Sequence, residues 1–242
     1  MVMRGFAVIG RPLITRAAAV VAILCLISGT MLGCTEPAAE PATPPVPFEV
    51  GPRAPVVAVL GDSFTVGSGP VRTWDSYAAW TARELGWHLV VAGAAGTGYV
   101  NTGRVGRDFQ RSFMYELSWR PAPDLLIVSG GHNDRRLRPA LVYFAAAKLL
   151  RTVRTHWPRT RIVVMGPIWM GYMPRWALSV RDAVALAAAK AKVTFLDPLE
   201  RRWVTPHSAM GMLLPDGVHP THQGHMRLAR WLTDSLRTRG VT

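Results

Sequence analysis

Short apolar runs alternating with longer helical stretches constrain this chain more than any other feature. The runs are Val56–Leu60, His88–Ala92, Leu125–Ser129, Ile162–Met165 and Val193–Leu196. They are continuously apolar instead of alternating, which suits strands covered on both faces and hence a parallel sheet. Helical spacing is read over Trp74–Leu85, roughly Asp108–Trp119, Pro139–His156, Trp176–Ala191 and about Gln223 to Arg237. The last of these places Met226, Ala229, Leu232 and Leu236 on one face. This alternation predicts an α/β fold, a three-layer α/β/α sandwich around a doubly wound sheet. Such sheets bind ligands beyond the carboxyl ends of their strands, so the loops after the runs are where chemistry is sought.

With 242 residues, 49% of them hydrophobic, the chain can build one sizeable core. The domain is read as residues 55–242. Arg4, Arg11 and Arg16 precede an uncharged stretch from Ala17 to Thr35, the pattern of a signal peptide over residues 1–33. Met31-Leu32-Gly33-Cys34 resembles a bacterial lipobox, which predicts cleavage before Cys34 and lipid attachment to it. An uncleaved anchor and a plain secretory signal are the alternatives. The apolar stretch is near the lower length for spanning and is diluted by Ser28, Gly29, Thr30 and Gly33. All three readings export the domain beyond the cytoplasmic membrane. Residues 34–54 form a stalk, where Pro37, Pro41, Pro44, Pro45, Pro47 and Pro52 favour extended backbone.

Cys25 and Cys34 are the only cysteines, and both fall in the targeting segment. The exported domain therefore has neither a disulfide nor a cysteine metal site. The whole chain carries +13; without the three signal arginines, 25 basic side chains face 15 acidic ones, or +10. Anionic lipid or acidic envelope polymers suit such a surface. Nucleic acid is disfavoured by export and by the lack of any recognised motif.

Four segments carry candidate chemistry. Ser63, in Gly61-Asp62-Ser63, lies on the turn after the first run, where its hydroxyl would project at the sheet edge. An N-cap serine is the ordinary alternative. Asp216 and His219 are three residues apart near the end of the sequence. Imidazole can accept a serine proton near neutral pH, and a carboxylate on its other nitrogen fixes the tautomer. A turn aspartate beside a surface histidine is the bland reading. Asn133, in Gly131-His132-Asn133-Asp134, and Gly96 follow two other runs. A side-chain amide and an unobstructed backbone N–H can stabilise an oxyanion, although Asn and Gly are also common turn formers. Their joint occurrence, in this order, outweighs the separate alternatives.

From Val56 to about Leu236 these segments resemble the SGNH hydrolases, the GDSL lipase/esterase superfamily. Asp216-Gly217-Val218-His219-Pro220 followed by Gly224-His225 is especially typical. The resemblance implies a flavodoxin-like sheet, Ser63 as nucleophile, His219 as general base and Asp216 as its partner. It also implies an oxyanion hole from the backbone N–H groups of Ser63 and Gly96 with the Asn133 amide. No metal or organic cofactor is expected. Many members carry Asn where this chain has Val91, which leaves Gly98 as a rival to Gly96; the Gly93-x-x-Gly96 spacing selects Gly96. The implied activity is hydrolysis of carboxylic esters, on lipids or O-acylated envelope glycans, through an acyl-serine, with small acyl groups preferred. An O-acyltransferase using the same triad and a catalytically silent binding lipoprotein are the competing classes.

Three further features have double readings. His219, His222 and His225 recur at a spacing that could suggest a metal site, but no carboxylate or cysteine completes a set. Ile168-Trp169-Met170-Gly171-Tyr172-Met173 with Trp176 either lines an acyl or sugar pocket or packs over the core. Arg135, Arg136 and Arg138 read as an anion site or, more plainly, as a solvated helix start.

Overall fold

The β-strands form one parallel sheet in the order β2-β1-β3-β4-β5, the flavodoxin-like order. They are β1 (Val56–Gly61), β2 (His88–Gly93), β3 (Leu125–Ser129), β4 (Arg161–Met165) and β5 (Thr194–Leu196). This computed structural model describes residues 53–170, 173–200, 209 and 211–241. The signal segment, Cys34 and the stalk up to residue 52 lie outside the described residues. The helices are α1 (Ser63–Val66), α2 (Tyr77–Leu85), α3 (Phe109–Ser112), α4 (Pro139–His156), α5 (Arg175–Lys190) and α6 (His222–Thr238). None of the described helices is long and apolar enough to cross a membrane.

Strand pleating sends alternate residues to opposite faces, and both faces are covered. Val57 and Val59, with Ile127 and Met165, pack under α2 and α6 through Tyr77, Leu228, Leu232 and Leu236. Ala58 and Leu60, with Leu126, Val128 and Val164, pack against α4 and α5 through Val142, Leu149, Val153 and Val184. Coverage on both sides explains why the strands are apolar throughout. Each fully buried Leu, Val or Phe here contributes about 1.5–3 kcal/mol.

Local signals set the helix limits. Ser76 accepts the Ala79 N–H at the start of α2, and Gly86 ends it in the left-handed region at φ 66°. Pro139 occupies the first turn of α4, where its missing N–H costs nothing. Two expected helices are corrected. The stretch read from Trp74 begins as a 3-10 turn, Thr73–Asp75, and becomes α-helical only after the Ser76 cap. The stretch read over Asp108–Trp119 is a short α3 that widens into a π-helical turn over Phe113–Leu117. The wider turn accompanies burial of both Phe113 and Leu117. It also accompanies the Glu116 carboxylate accepting the Gly93 N–H at 3.2 Å and Arg107 at 3.3 Å.

Candidate active site

β1 delivers the chain to the carboxyl edge of the sheet between β2 and β3, and the turn there is too tight for a side chain at Gly61. A Cβ at that position would lie 2.1 Å from the Thr65 hydroxyl and 2.9 Å from the Ser129 carbonyl. Asp62 caps the short α1 by accepting the Phe64 N–H at 3.0 Å, which fixes Ser63 at the helix start. Asp216 and His219 come from a hairpin-like loop closed by an isolated bridge pairing Leu213 with Pro220, just before the Thr221 cap of α6. Gly217 turns that loop at φ 66°, and the Leu214 N–H donates to the His219 carbonyl at 2.8 Å.

These two segments meet. His219 Nε2 lies 2.8 Å from Ser63 Oγ, and His219 Nδ1 lies 2.6 Å from Asp216 Oδ2. The other Asp216 oxygen accepts the backbone N–H groups of Val218 and His219 at 2.9 and 3.0 Å. Desolvation works against the charged Asp216 carboxylate, but the hydrogen bonds from the His219 ring and the two amides outweigh it and hold its pKa at about 2. Phe64 supports the His219 ring from one side, with centroids 5.4 Å apart. The arrangement can relay a serine proton to imidazole and stabilise the imidazolium that results.

The Ser63 and Gly96 N–H groups make no hydrogen bond among the described residues, whereas the Gly98 N–H donates to the Asn101 carbonyl at 2.8 Å. Gly98 is small for another reason: a Cβ there would lie 2.5 Å from a carboxylate oxygen of Asp134. Asn133 donates its amide to the Thr97 carbonyl at 2.9 Å and makes a long 3.4 Å contact with Asp62 Oδ2. Ser63, Gly96 and Asn133 thus share the carboxyl edge of β1, β2 and β3. Val91 lies within β2, opposite Val59 of β1.

Sequence reasoning missed three buried polar groups beside these residues. Asp62 is buried, and desolvation raises its carboxyl to about 7 despite the Phe64 N–H. Asp134 is fully buried; desolvation raises it while the N–H groups of Asn101, Val100 and Tyr99 act the other way. His132 is buried under Trp169, its ring stacked at 5.3 Å, and desolvation lowers it to about 4, so it is neutral. Each stands next to a residue already singled out, and only the packing of adjacent loops separates their roles.

The three spaced histidines diverge. His219 faces Ser63, His222 approaches Asp75 at 3.7 Å, and buried His225 accepts the Tyr77 N–H on Nδ1 at 3.1 Å. Among the described residues no group of three or more His, Cys, Asp or Glu side chains converges on a metal position. In the loop after β4, Ile168 and Met170 are buried in the core, and Trp169 and Trp176 pack edge to face around His132. Gly171 and Tyr172 lie outside the described residues. Arg135, Arg136 and Arg138 are solvent-exposed.

A parallel α/β sheet with a hydrogen-bonded Ser–His–Asp chain at its carboxyl edge defines a serine hydrolase. Residues 59–227 match the GDSL-like Lipase/Acylhydrolase family, well over half of the chain. The chain belongs to that family and is a GDSL-type serine esterase. No curated protein matches it. Solved structures do. A protein from Lactobacillus plantarum has 22% identity and a TM-score of 0.63, over 78% of this chain and 99% of that one. A family two carbohydrate esterase from Clostridium thermocellum, in complex with cellohexaose, has 18% identity and a TM-score of 0.63, over 78% and 66%. A carbohydrate acetylesterase from Sinorhizobium meliloti has 19% identity and a TM-score of 0.59, over 76% and 99%. At such identities the likeness speaks to the fold.

Proposed function

We propose that this protein is an exported esterase that cleaves carboxylic esters through an acyl-Ser63 intermediate. The hydrogen-bonded chain from Ser63 through His219 to Asp216 is the observation that carries the reading. His219 Nε2 takes the Ser63 proton as Oγ bonds to the ester carbonyl carbon. The oxyanion is met by the N–H groups of Ser63 and Gly96 and by the Asn133 amide. Collapse expels the alcohol, which leaves with the proton from His219. Water, deprotonated by the same imidazole, then frees the acid and restores Ser63. O-acylated glycans with small acyl groups are the favoured substrates, supported by the carbohydrate esterases among the structural neighbours. Export through residues 1–33, with lipid on Cys34 and residues 34–54 as spacer, is supported by the sequence pattern alone.

A serine-directed phosphonate should label the protein at Ser63 and stop turnover of acetylated sugars, while Ser63→Ala should be neither labelled nor active. A folded Ser63→Ala variant that kept most of its activity would refute the assignment. Transfer to added glycan hydroxyls that outpaced hydrolysis by a wide margin would make the enzyme an acyltransferase. Cys34→Ser should release the protein from the membrane fraction; retention there at unchanged mass would mean an uncleaved anchor.

A further inference from the structure

The two segments assigned to the oxyanion hole follow β2 and β3, which are not neighbours: β1 lies between them. No ladder hydrogen bond sets their relative position, and strands two apart are separated by roughly 10 Å. Side chains bridge the gap instead. Asp134 Oδ2 accepts the Tyr99 N–H at 2.9 Å, and Oδ1 accepts the Val100 and Asn101 N–H groups at 3.1 and 2.9 Å. Asn101 returns the connection by donating Nδ2 to the Asn133 carbonyl at 3.0 Å, and the Asn133 amide reaches Thr97. Gly98 lets its backbone close directly onto the Asp134 carboxylate.

We propose that Asp134 is a positioning residue that, with Asn101, clamps the Gly96 loop to the Asn133 turn and so sets the spacing of the oxyanion donors across Ser63. This rests on the esterase reading above. A carboxylate suits the task because it offers two acceptor oxygens to the convergent N–H groups. Placing it in a fully buried site is unfavourable unless it is hydrogen-bonded throughout. The clamp acts through Gly96 and Asn133 and touches no reacting atom.

The test compares an oxygen ester with the matching thionoester, whose carbonyl sulfur draws far less from hydrogen-bond donors. In Asp134→Asn, an amide N–H replaces one acceptor and faces backbone N–H groups. Its kcat on the ester should fall on the order of 10²-fold, as for loss of an oxyanion donor, with KM changed little. Its kcat on the thionoester should fall less than about tenfold, so the ester-to-thionoester ratio collapses. Asn101→Ala, at an exposed position, removes the tie to Asn133 together with the Asn101 Oδ1 acceptor of the Gly103 N–H at 3.0 Å, while leaving the Asp134 carboxylate in place. It should shift the ratio in the same direction by roughly tenfold, and it decides the matter if Asp134→Asn does not fold. Equal losses on both substrates, or none, in a folded variant would make the cluster structural only and overturn the clamp while leaving the esterase intact. A wild-type protein that hydrolyses neither substrate would instead overturn the esterase reading, and the clamp with it.

Discussion

Asp62 is a buried carboxyl, 2% exposed, whose oxygens meet one backbone N–H at 3.0 Å and a distant amide at 3.4 Å. Burial pushes it up, the Phe64 N–H works the other way, nearby Asp134 adds to the rise, and the native midpoint reaches about 7 against an ordinary 3.8. A midpoint raised on folding means that the native state holds the proton more tightly than the unfolded chain. The resulting stability is fully present below pH 3.8 and is lost as pH rises through about 7. The loss across that interval is about 4 kcal/mol, since each pH unit of displacement is worth about 1.4 kcal/mol. Asp62→Asn removes this dependence, because an amide does not ionise and can still accept the Phe64 N–H. The substitution also places an amide N–H toward Asn133, which adds a pH-independent offset, so the slope is the informative quantity. Urea unfolding of both proteins between about pH 4 and about pH 8 should show the variant gaining on the wild type by about 4 kcal/mol. Parallel stability curves would refute the reasoning and show that Asp62 ionises in the native site as freely as in water.

Gly98→Ala should destabilise the fold by about 1–3 kcal/mol, because its Cβ meets a carboxylate that backbone N–H groups hold in place. Gly96→Ala, at φ 78° with its nearest neighbour at 3.6 Å, should cost only about 1 kcal/mol; chemical denaturation of the pair checks the contrast. Asp216→Asn should lower kcat on the order of 10⁴-fold with normal folding, because the amide no longer selects the tautomer of His219 that faces Ser63. Steady-state kinetics on a small acyl ester measures it, and near-wild-type turnover would remove Asp216 from the site.

The strands were legible because both sheet faces are covered, which turns each into a plain apolar run. Limits were missed where a single contact overrides periodicity. The apolar spacing over 108–119 is helical, yet nothing local announces that Glu116 will bind the Gly93 amide and accompany a π turn. Likewise Ser76 caps α2 two residues beyond Trp74, where the expected helix begins. At the site, Ser63, Asp216 and His219 are recognisable because each residue type has few chemical substitutes in that role. Asp62, His132 and Asp134 were silent because an acid or an imidazole beside a turn is ordinarily solvated. Only the packing of the loops shows them shut away from water. The preference for Gly96 over Gly98 rests on spacing, and spacing does not announce that the Gly98 amide donates to the Asn101 carbonyl.

Ser63 and His219 stand 156 positions apart, one at the first strand and the other just before the final helix. A chain that has built only its first strands holds a serine with no base within reach, chemically as inert as any other hydroxyl. Reactivity therefore appears late, once the segment leading into α6 has docked. It should also vanish early on unfolding if that segment detaches while the sheet survives. For a protein read as crossing a membrane before it works, this ordering would keep the nascent chain harmless to esters on the side where it is made.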